Sequence, residues 1–266
     1  MKFIHLTDTH LVAPGEPLHG LDPHANLLAC VAAIRARHAD AAFCVLTGDL
    51  VDNGDPRAYR AASQALAALP MPVHVIPGNH DDRVALREAF ANTRCDEHGF
   101  VQQVIAHGEA RFMLLDTLEP QQGSAGAYCE RRARWLASRL AEAGDAPVYL
   151  FMHHPPFPIG IASMDRIGLL DPQHFVRAIA GARNLRHIFF GHVHRPVSGH
   201  WRGISFSTLY GTNHQVLLDL HEPRYIAFTA EPPSYGVVLL DGERLVIHNE
   251  PFLADLRDIR TTAPRA

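Results

Sequence analysis

Phe43-Cys44-Val45-Leu46-Thr47-Gly48-Asp49 is the stretch on which the fold turns. A short run of apolar and β-forming residues ends at a glycine, and a carboxylate stands immediately after it. Such a run reads as a buried strand, and in an open α/β sheet ligands bind beyond the carboxyl ends of the strands. The same arrangement recurs four times. Residues 3–7 lead into Asp8-Thr9-His10, and residues 73–77 into Gly78-Asn79-His80-Asp81. Residues 148–152 lead into His153-His154-Pro155, and residues 187–190 into Gly191-His192-Val193-His194. Five strand-like runs thus deliver Asp, Asn and His to what reads as one edge of one sheet. Asp49, central in that set, is the candidate for a carboxylate bridging two metal ions.

The composition allows this. A chain of 266 residues, 47% hydrophobic, can bury a sizeable core as one α/β domain. A net charge of -4 argues against a general nucleic-acid surface, which needs a basic face. It leaves room for a small phosphorylated substrate, because metal ions supply positive charge locally. The 19 histidines are unusual, and several stand where strands end; most of the others read as ordinary surface or core residues. Cys30, Cys44, Cys95 and Cys129 are far apart and form no CxxC, so neither a zinc knuckle nor a disulfide framework is expected. Cys30 and Cys44 read as small buried hydrophobes. The N-terminus does not follow the plan of a signal peptide, and no apolar run approaches the roughly 20 residues of a membrane span. A soluble, cytoplasmic protein with no membrane partner is expected.

Between the first three strands lie helices at residues 23–38, with Asp22 as N-cap and Pro23 at the first position, and at 57–69; a third helix follows at 83–90. This βαβαβ rhythm favours parallel neighbours. A hairpin is expected from residues 100–105 and 111–116, then a helix at 130–142, a long loop at 155–170, and a helix from Pro172 capped by Asp171. After His194 the chain reads as an antiparallel meander: 197–201, 204–208, 215–220, 235–240 and 244–249, the last two joined at Asp241-Gly242. No linker or repeat interrupts it. One domain, 1–266, is expected, with a core to about 220 and C-terminal strands and tail over 221–266, the short tail from Pro251 covering the fold or a partner subunit.

Asp8 and His10, two apart, point to one side if the backbone is extended, and His192 and His194 share that spacing. Oxygen and imidazole donors without thiolate suit Mn, Fe, Co or Zn. Seven candidate ligands, Asp8, His10, Asp49, Asn79, His153, His192 and His194, are too many for one ion. They suit two ions sharing a carboxylate, each with an open position. Asp-x-His or His-x-His alone reads more readily as a turn. Five such blocks in order, all at strand ends, do not.

The blocks Asp8-Thr-His10, Gly48-Asp49, Gly78-Asn-His-Asp81, His153-His154 and Gly191-His-Val-His194 resemble those of the calcineurin-like metallophosphoesterases. Residues 151–156, 77–82 and 211–216 resemble in particular the bacterial class III cyclic-nucleotide phosphodiesterases and glycerophosphodiesterases. The resemblance covers residues 1 to about 220. It implies a four-layer αββα sandwich with a dinuclear site at the sheet edges. It places Asp8, His10 and His194 on one ion, Asn79, His153 and His192 on the other, and Asp49 between them. The chemistry implied is hydrolysis of small phosphodiesters, cyclic nucleotides or glycerophosphodiesters, by in-line attack of a metal-bound hydroxide. His80, beside Asn79, is the candidate donor to the leaving alkoxide, so that His80, Asp49 and Asn79 form the catalytic group.

Other residues carry weaker expectations. His154 either orients His153 or packs beneath Pro155, and Asp81 either orients a ligand histidine or caps the following helix. His214 and Gln215 reach the rim of the site or serve their loop. Asn53 and residues 161–165 are expected to shape the substrate pocket, together with the loops 11–21, 121–128 and 156–170. His5, His74 and His187 read as packed within strands, and Asp116 as structural. A homo-oligomer is suggested by the family comparison and the apolar strands after Gly203. The alternatives are a phosphomonoesterase or nuclease using the same two ions, and a scaffold without catalysis. The nuclease lacks a basic track, and the scaffold would be expected to have lost ligands.

Overall fold

Successive side chains of a strand point to opposite faces, so a strand apolar on both faces needs cover on both. The computed structural model, which describes residues 1–221 and 224–253, supplies that cover from helices on one side and a second sheet on the other. The expectation for the tail beyond residue 253 lies outside the described residues.

β1 (Lys2–Leu6), α1 (Pro23–Arg37), β2 (Cys44–Thr47), α2 (Pro56–Leu66), β3 (Val73–Ile76) and α3 (Arg83–Ala89) alternate, and β1, β2 and β3 pair in parallel. β4 (Gln103–His107) and β5 (Ala110–Leu114) form a hairpin turning at Gly108-Glu109. β6 (Gly126–Ala127), α4 (Glu130–Ala143), β7 (Val148–Met152), α5 (Ala162–Asp165), β8 (Leu169–Leu170), α6 (Gln173–Ile179) and β9 (Leu185–Phe190) follow. The chain continues with β10 (Ser198–Trp201), β11 (Ile204–Ser207), β12 (Gln215–Val216), β13 (Phe228–Thr229), β14 (Ser234–Asp241) and β15 (Arg244–Pro251). One sheet runs β15-β14-β1-β2-β3 and the other β10-β11-β9-β7-β5-β4.

The alternation is visible in β1 and β7. Phe3 faces inward with Phe43 and Val45, and meets Phe112, Tyr149, Phe151 and Phe189 of the opposite sheet. Its ring centroid lies 5.0 Å from that of Phe43 and 5.5 to 5.9 Å from those of Phe112, Phe189 and Phe151. Truncating such a residue to Ala costs about 3–5 kcal/mol. Ile4, Leu6 and Leu46 point the other way, onto Leu27, Val31 and Ile34 of α1 and Tyr59 and Leu66 of α2. Across the molecule, Leu150, Met152 and Ile188 meet Leu136 and Leu140 of α4 and Phe175 of α6. The result is the four-layer αββα sandwich. Cys30 and Cys44 are buried free thiols. Among the described residues no helix is long and apolar enough to cross a membrane.

Helix starts follow the sequence. The Asp22 carboxylate accepts from Ala25 N at 2.9 Å with Pro23 at the first position, and Asp55 accepts from Arg57 N at 2.7 Å with Pro56 next. Four expectations need correction. The five site-bearing strands lie in two sheets, β1, β2 and β3 in one and β7 and β9 in the other, because an inner layer of aromatic rings can be shared face to face. The C-terminal strands are not a meander: β10–β11 extends the second sheet through β11 beside β9, whereas β14–β15 extends the first through β14 beside β1. β14, apolar on both faces, is an interior strand and requires both neighbours. Asp171 does not cap α6; it has φ +45°, and Pro172 occupies the cap position without a side-chain bond. Finally, the strand expected over 215–220 stops at Val216, where it pairs with Phe228–Thr229.

His5 and His187 are packed within strands, as expected. His187 holds Nδ1 2.7 Å from Ser205 Oγ and Nε2 2.9 Å from Ser207 Oγ, and burial pushes its pKa down to about 3. In the unfolded chain a histidine takes a proton near pH 6.5. This residue's contribution is therefore complete above pH 6.5 and declines as the pH falls from there towards 3. Between pH 6.5 and 5 the wild type should lose roughly 1.5 kcal/mol more stability than His187→Gln in urea unfolding. Parallel pH profiles for the two proteins would contradict a neutral, buried His187.

Candidate metal centre

The site lies where five strand ends meet, and its backbone is unusual. Among the described residues eight non-glycine residues have φ between 43° and 68°, and five of them are Asp8, His10, Asp49, His192 and His194. A left-handed conformation at such residues costs of order 1–3 kcal/mol and persists only where the surroundings over-determine it. Here they do. Asp8 N donates to Gly48 O at 3.1 Å, His10 N to Asp49 O at 2.9 Å and Leu11 N to Leu50 O at 3.0 Å, so the loops after β1 and β2 stay zipped. His192 N donates to the Asp8 carboxylate at 3.1 Å. Asp8 and His10 thus present their side chains from two left-handed residues flanking Thr9, which corrects the expectation of an extended pair; the same holds for His192 and His194.

Two glycines make the approach possible. A Cβ on Gly48 (φ +94°) would stand 2.4 Å from His153 Nδ1, and one on Gly78 would stand 2.2 Å from Asp49 Oδ1. Neither space exists for a methyl group.

Hydrogen bonds on the far side of each ring fix the tautomers. His153 Nδ1 donates to Thr47 O at 2.7 Å, His194 Nδ1 to His214 O at 2.9 Å and His10 Nδ1 to Asp52 Oδ1 at 3.1 Å. In the neutral rings the three Nε2 atoms carry the lone pairs, and these converge. His10 Nε2 lies 3.1 Å from His194 Nε2 and 3.5 Å from Asp49 Oδ2, with Asp8 Oδ1 3.3 Å from His194 Nε2. His153 Nε2 lies 3.1 Å from Asn79 Oδ1, 3.2 Å from His192 Nδ1 and 3.3 Å from Asp49 Oδ2. Bonds of about 2.0–2.2 Å from one ion to neighbouring donors put those donors roughly 3.0–3.6 Å apart. Both groups have that spacing, and lone pairs facing one another repel unless a proton or a metal ion stands between them. Asp49 Oδ2 faces both groups, while its Oδ1 accepts from His80 N at 2.9 Å. All seven residues expected from the sequence are brought together, six of them essentially buried and Asn79 partly so.

The electrostatics point the same way. Burial raises the Asp8 and Asp49 carboxyls, but His194 beside the first and His153 beside the second outweigh it and hold both below the usual carboxylate range. Burial likewise opposes charge on His153, yet Asp49 raises it to about 9, so in the protein alone its Nε2 holds a proton that a metal ion would displace. His192, pushed down by burial and by His153, stays neutral to about pH 3. A buried carboxylate pair has drawn in whatever positive charge the site offers.

His80 stands at the edge. Its Nδ1 donates to the Asp52 carbonyl at 2.6 Å, leaving Nε2 free. Burial lowers its pKa, but Asp49 and the Asp52 carbonyl raise it above the ordinary value. With His10, Asn79 and His192 it lines a cavity of about 80 Å³ walled by Met164, Ile167, Ile226 and Phe228, with His19 and His214 at its side.

The weaker expectations separate. Asp81 neither orients a histidine nor caps α3; Asp82 is the cap, and the Asp81 carboxylate accepts from Gly78 N, Leu50 N and Tyr59 Oη instead. His154 bonds Thr117 Oγ1 at 2.8 Å and packs its ring 4.6 Å from that of His192. His214 meets the site twice, through its carbonyl on His194 and its ring 4.8 Å from His10, whereas the Gln215 side chain only closes its loop onto Gly211. Asn53 is exposed and accepts from Asp55 N, away from the cavity, contrary to expectation. Asp116 pairs with Arg83. Asp52, which serves both His10 and His80, was missed; its signal was the Gly48-Asp49-x-x-Asp52 spacing. His19 lies in the loop 11–21 expected at the pocket, whereas Ile226 and Phe228 gave no signal, since only the folded chain brings them to the cavity.

Two stacked sheets between helices, with carboxylate, amide and imidazole donors gathered at their strand ends, are the fold and donor set of a phosphoesterase. The family model described as calcineurin-like phosphoesterase matches residues 1–196. Over 257 residues the chain is 44% identical to a "probable cyclic nucleotide phosphodiesterase" of Rhodopseudomonas palustris, covering 96% of this chain and 94% of the relative. It is 31% identical over 251 residues to a glycerophosphodiester phosphodiesterase of Enterobacter lignolyticus, covering 92% and 89%. Among solved structures a dimetal phosphatase from Danio rerio shares the fold, with a TM-score of 0.71 at 17% identity over 96% of this chain and 97% of that one. The chain belongs to the calcineurin-like phosphoesterase family and is an enzyme, a phosphoric diester hydrolase.

The close approach at Gly78 is testable. Gly78→Ala should bind Mn²⁺ with at least 10-fold lower affinity than the wild type, because the new methyl group must displace Asp49. Calorimetric titration of the metal-free protein decides it; affinity equal to the wild type would mean that the two loops do not meet as described.

Proposed function

We propose that this enzyme hydrolyses small phosphodiesters, cyclic nucleotides before glycerophosphodiesters, with two ions drawn from Mn, Fe, Co and Zn. The observation that carries the proposal is the convergence of tautomer-fixed lone pairs on either side of Asp49 Oδ2. Asp8, His10 and His194 would hold one ion and Asn79, His153 and His192 the other, with Asp49 shared. When bound, such a pair of ions neutralises phosphoryl oxygens and brings the acidity of a water molecule to near neutral pH.

The protein's own groups supply the rest. His80, held through Nδ1 by the Asp52 carbonyl, turns Nε2 to the cavity and as imidazolium gives a proton to the leaving alkoxide. Asp49 and Asn79 set the separation of the two donor groups. Met164, Ile167, Ile226 and Phe228 keep bulk water from the reacting phosphoryl group. A flat base suits such an apolar wall, and the relative with 44% identity carries a cyclic-nucleotide name. A net charge of -4 disfavours a polymeric nucleic acid.

The test is kcat/KM after Mn²⁺ reconstitution on bis-aryl phosphate, aryl monophosphate, 3′,5′- and 2′,3′-cyclic nucleotides and glycerophosphoesters. A cyclic nucleotide should lead the natural diesters; preference for the monoester, or no turnover of any diester, would overturn the proposal. His80→Ala should cost on the order of 10²–10⁴-fold on alkyl diesters and much less on aryl diesters, whose leaving groups need no proton. An equal loss on both would make His80 a substrate-positioning group instead.

A further inference from the structure

Asp81 is a buried carboxylate outside both donor groups, and its hydrogen bonds tie together the two loops that carry Asp49 and Asn79. Its Oδ2 accepts from Gly78 N at 2.8 Å and from Leu50 N at 3.2 Å, and its Oδ1 faces Val51 N at 3.4 Å. Gly78 immediately precedes Asn79, and Leu50 and Val51 immediately follow Asp49. The orientation of Asp81 rests in turn on Tyr59. The Tyr59 hydroxyl donates to Asp81 Oδ1 at 2.8 Å and accepts from Asp82 N at 2.8 Å. Tyr59 is fully buried in α2, whose start is fixed by Asp55 and Pro56, so this hydroxyl belongs to the rigid part of the fold rather than to the loops.

We propose that Tyr59 is a positioning residue for the metal centre, holding through Asp81 the separation between Asp49 and Asn79. The inference rests on the two-metal reading above. The geometry shows why the separation matters. His153 Nε2 comes within 3.1 Å of Asn79 Oδ1 and 3.3 Å of Asp49 Oδ2 only while the two loops keep their register. The bond from His80 N to Asp49 Oδ1, which turns Oδ2 towards the histidines, depends on the same register. Without the Tyr59 hydroxyl, Asp81 loses its shortest side-chain partner and Asp82 N loses its acceptor. Partners of this kind, one step removed from the donors, typically change metal affinity 10- to 100-fold. The group containing Asn79 takes one donor from each loop and should suffer most; the group of Asp8, His10 and His194 draws only on Asp49.

The experiment is calorimetric Mn²⁺ titration of metal-free wild type, Tyr59→Phe, Asp81→Asn and the double variant, with thermal unfolding of each before and after metal. The wild type should show two binding steps. Tyr59→Phe should weaken one step 10- to 100-fold and the other less than about 3-fold, and the double variant should bind no worse than Asp81→Asn alone. Ser63→Ala supplies the control. Ser63 Oγ donates to Ala89 O at 2.8 Å and joins α2 to α3 without touching the loops, so this variant should unfold at lower temperature yet bind both ions as the wild type does. Two wild-type steps with unchanged affinities in Tyr59→Phe would overturn the positioning role alone. Additive losses in the double variant would overturn action through Asp81. Absence of binding by the wild type would overturn the two-metal reading, and this inference with it.

Discussion

One carboxylate oxygen ties the two halves of the molecule together. Asp49 Oδ2 stands 3.5 Å from the ring nitrogen of His10, which follows β1 of one sheet, and 3.3 Å from that of His153, which follows β7 of the other. A charge buried this deeply is expensive unless opposite charge reaches it. The spacing of the sheets decides whether it can. Phe3, Phe43, Phe112, Phe151 and Phe189 fill the interval between the sheets and set that spacing. The aromatic layer is thus part of the site's geometry although none of its members faces the donors.

The site also opposes the stability of the fold that holds it. Five left-handed residues, three glycines (Gly48, Gly78 and Gly191) without room for a methyl group, and ring nitrogens crowded against one another are all unfavourable in the protein alone. They persist because main-chain bonds between the loops after β1 and β2, and the carboxylate of Asp81 between the loops after β2 and β3, leave no easier arrangement. A bound cation relieves the repulsion directly, so metal binding and stability should rise together.

Much of this was legible in the sequence. The five strand ends were, because a short apolar run stopping at a polar residue has few other readings, and so were the seven Asp, Asn and His side chains that gather there. The division into two sheets was not. Phe3 and Ile4 are both apolar, and alternation cannot say whether a helix or a second sheet covers each face. Backbone conformation was hidden too: the x between Asp8 and His10 suggests an extended pair, whereas the close contact with the loop after β2 forces left-handed residues. Asp81 was misread because a carboxylate before a helix resembles a cap, and Asp82 took that place. Ile226 and Phe228 were out of reach, since a two-residue pairing with β12 brings them to the cavity and no periodicity announces it.

The two donor groups are unequal in charge, and on the proposed assignment this orders them. The first contains Asp8 and the shared Asp49, and its His10 is backed by the Asp52 carboxylate. A carboxylate behind an imidazole makes the ligating nitrogen more basic. The second contains only Asp49 and the neutral amide of Asn79, and its His153 is backed by a carbonyl. At a few ångströms an extra formal charge in a buried site outweighs small differences in donor geometry. On that assignment the first group would fill first, and the second would be the one sensitive to the exact placement of its loops. That ordering explains why a hydroxyl as far back as Tyr59 can matter: the site with the least charge to spare depends most on where its donors are held.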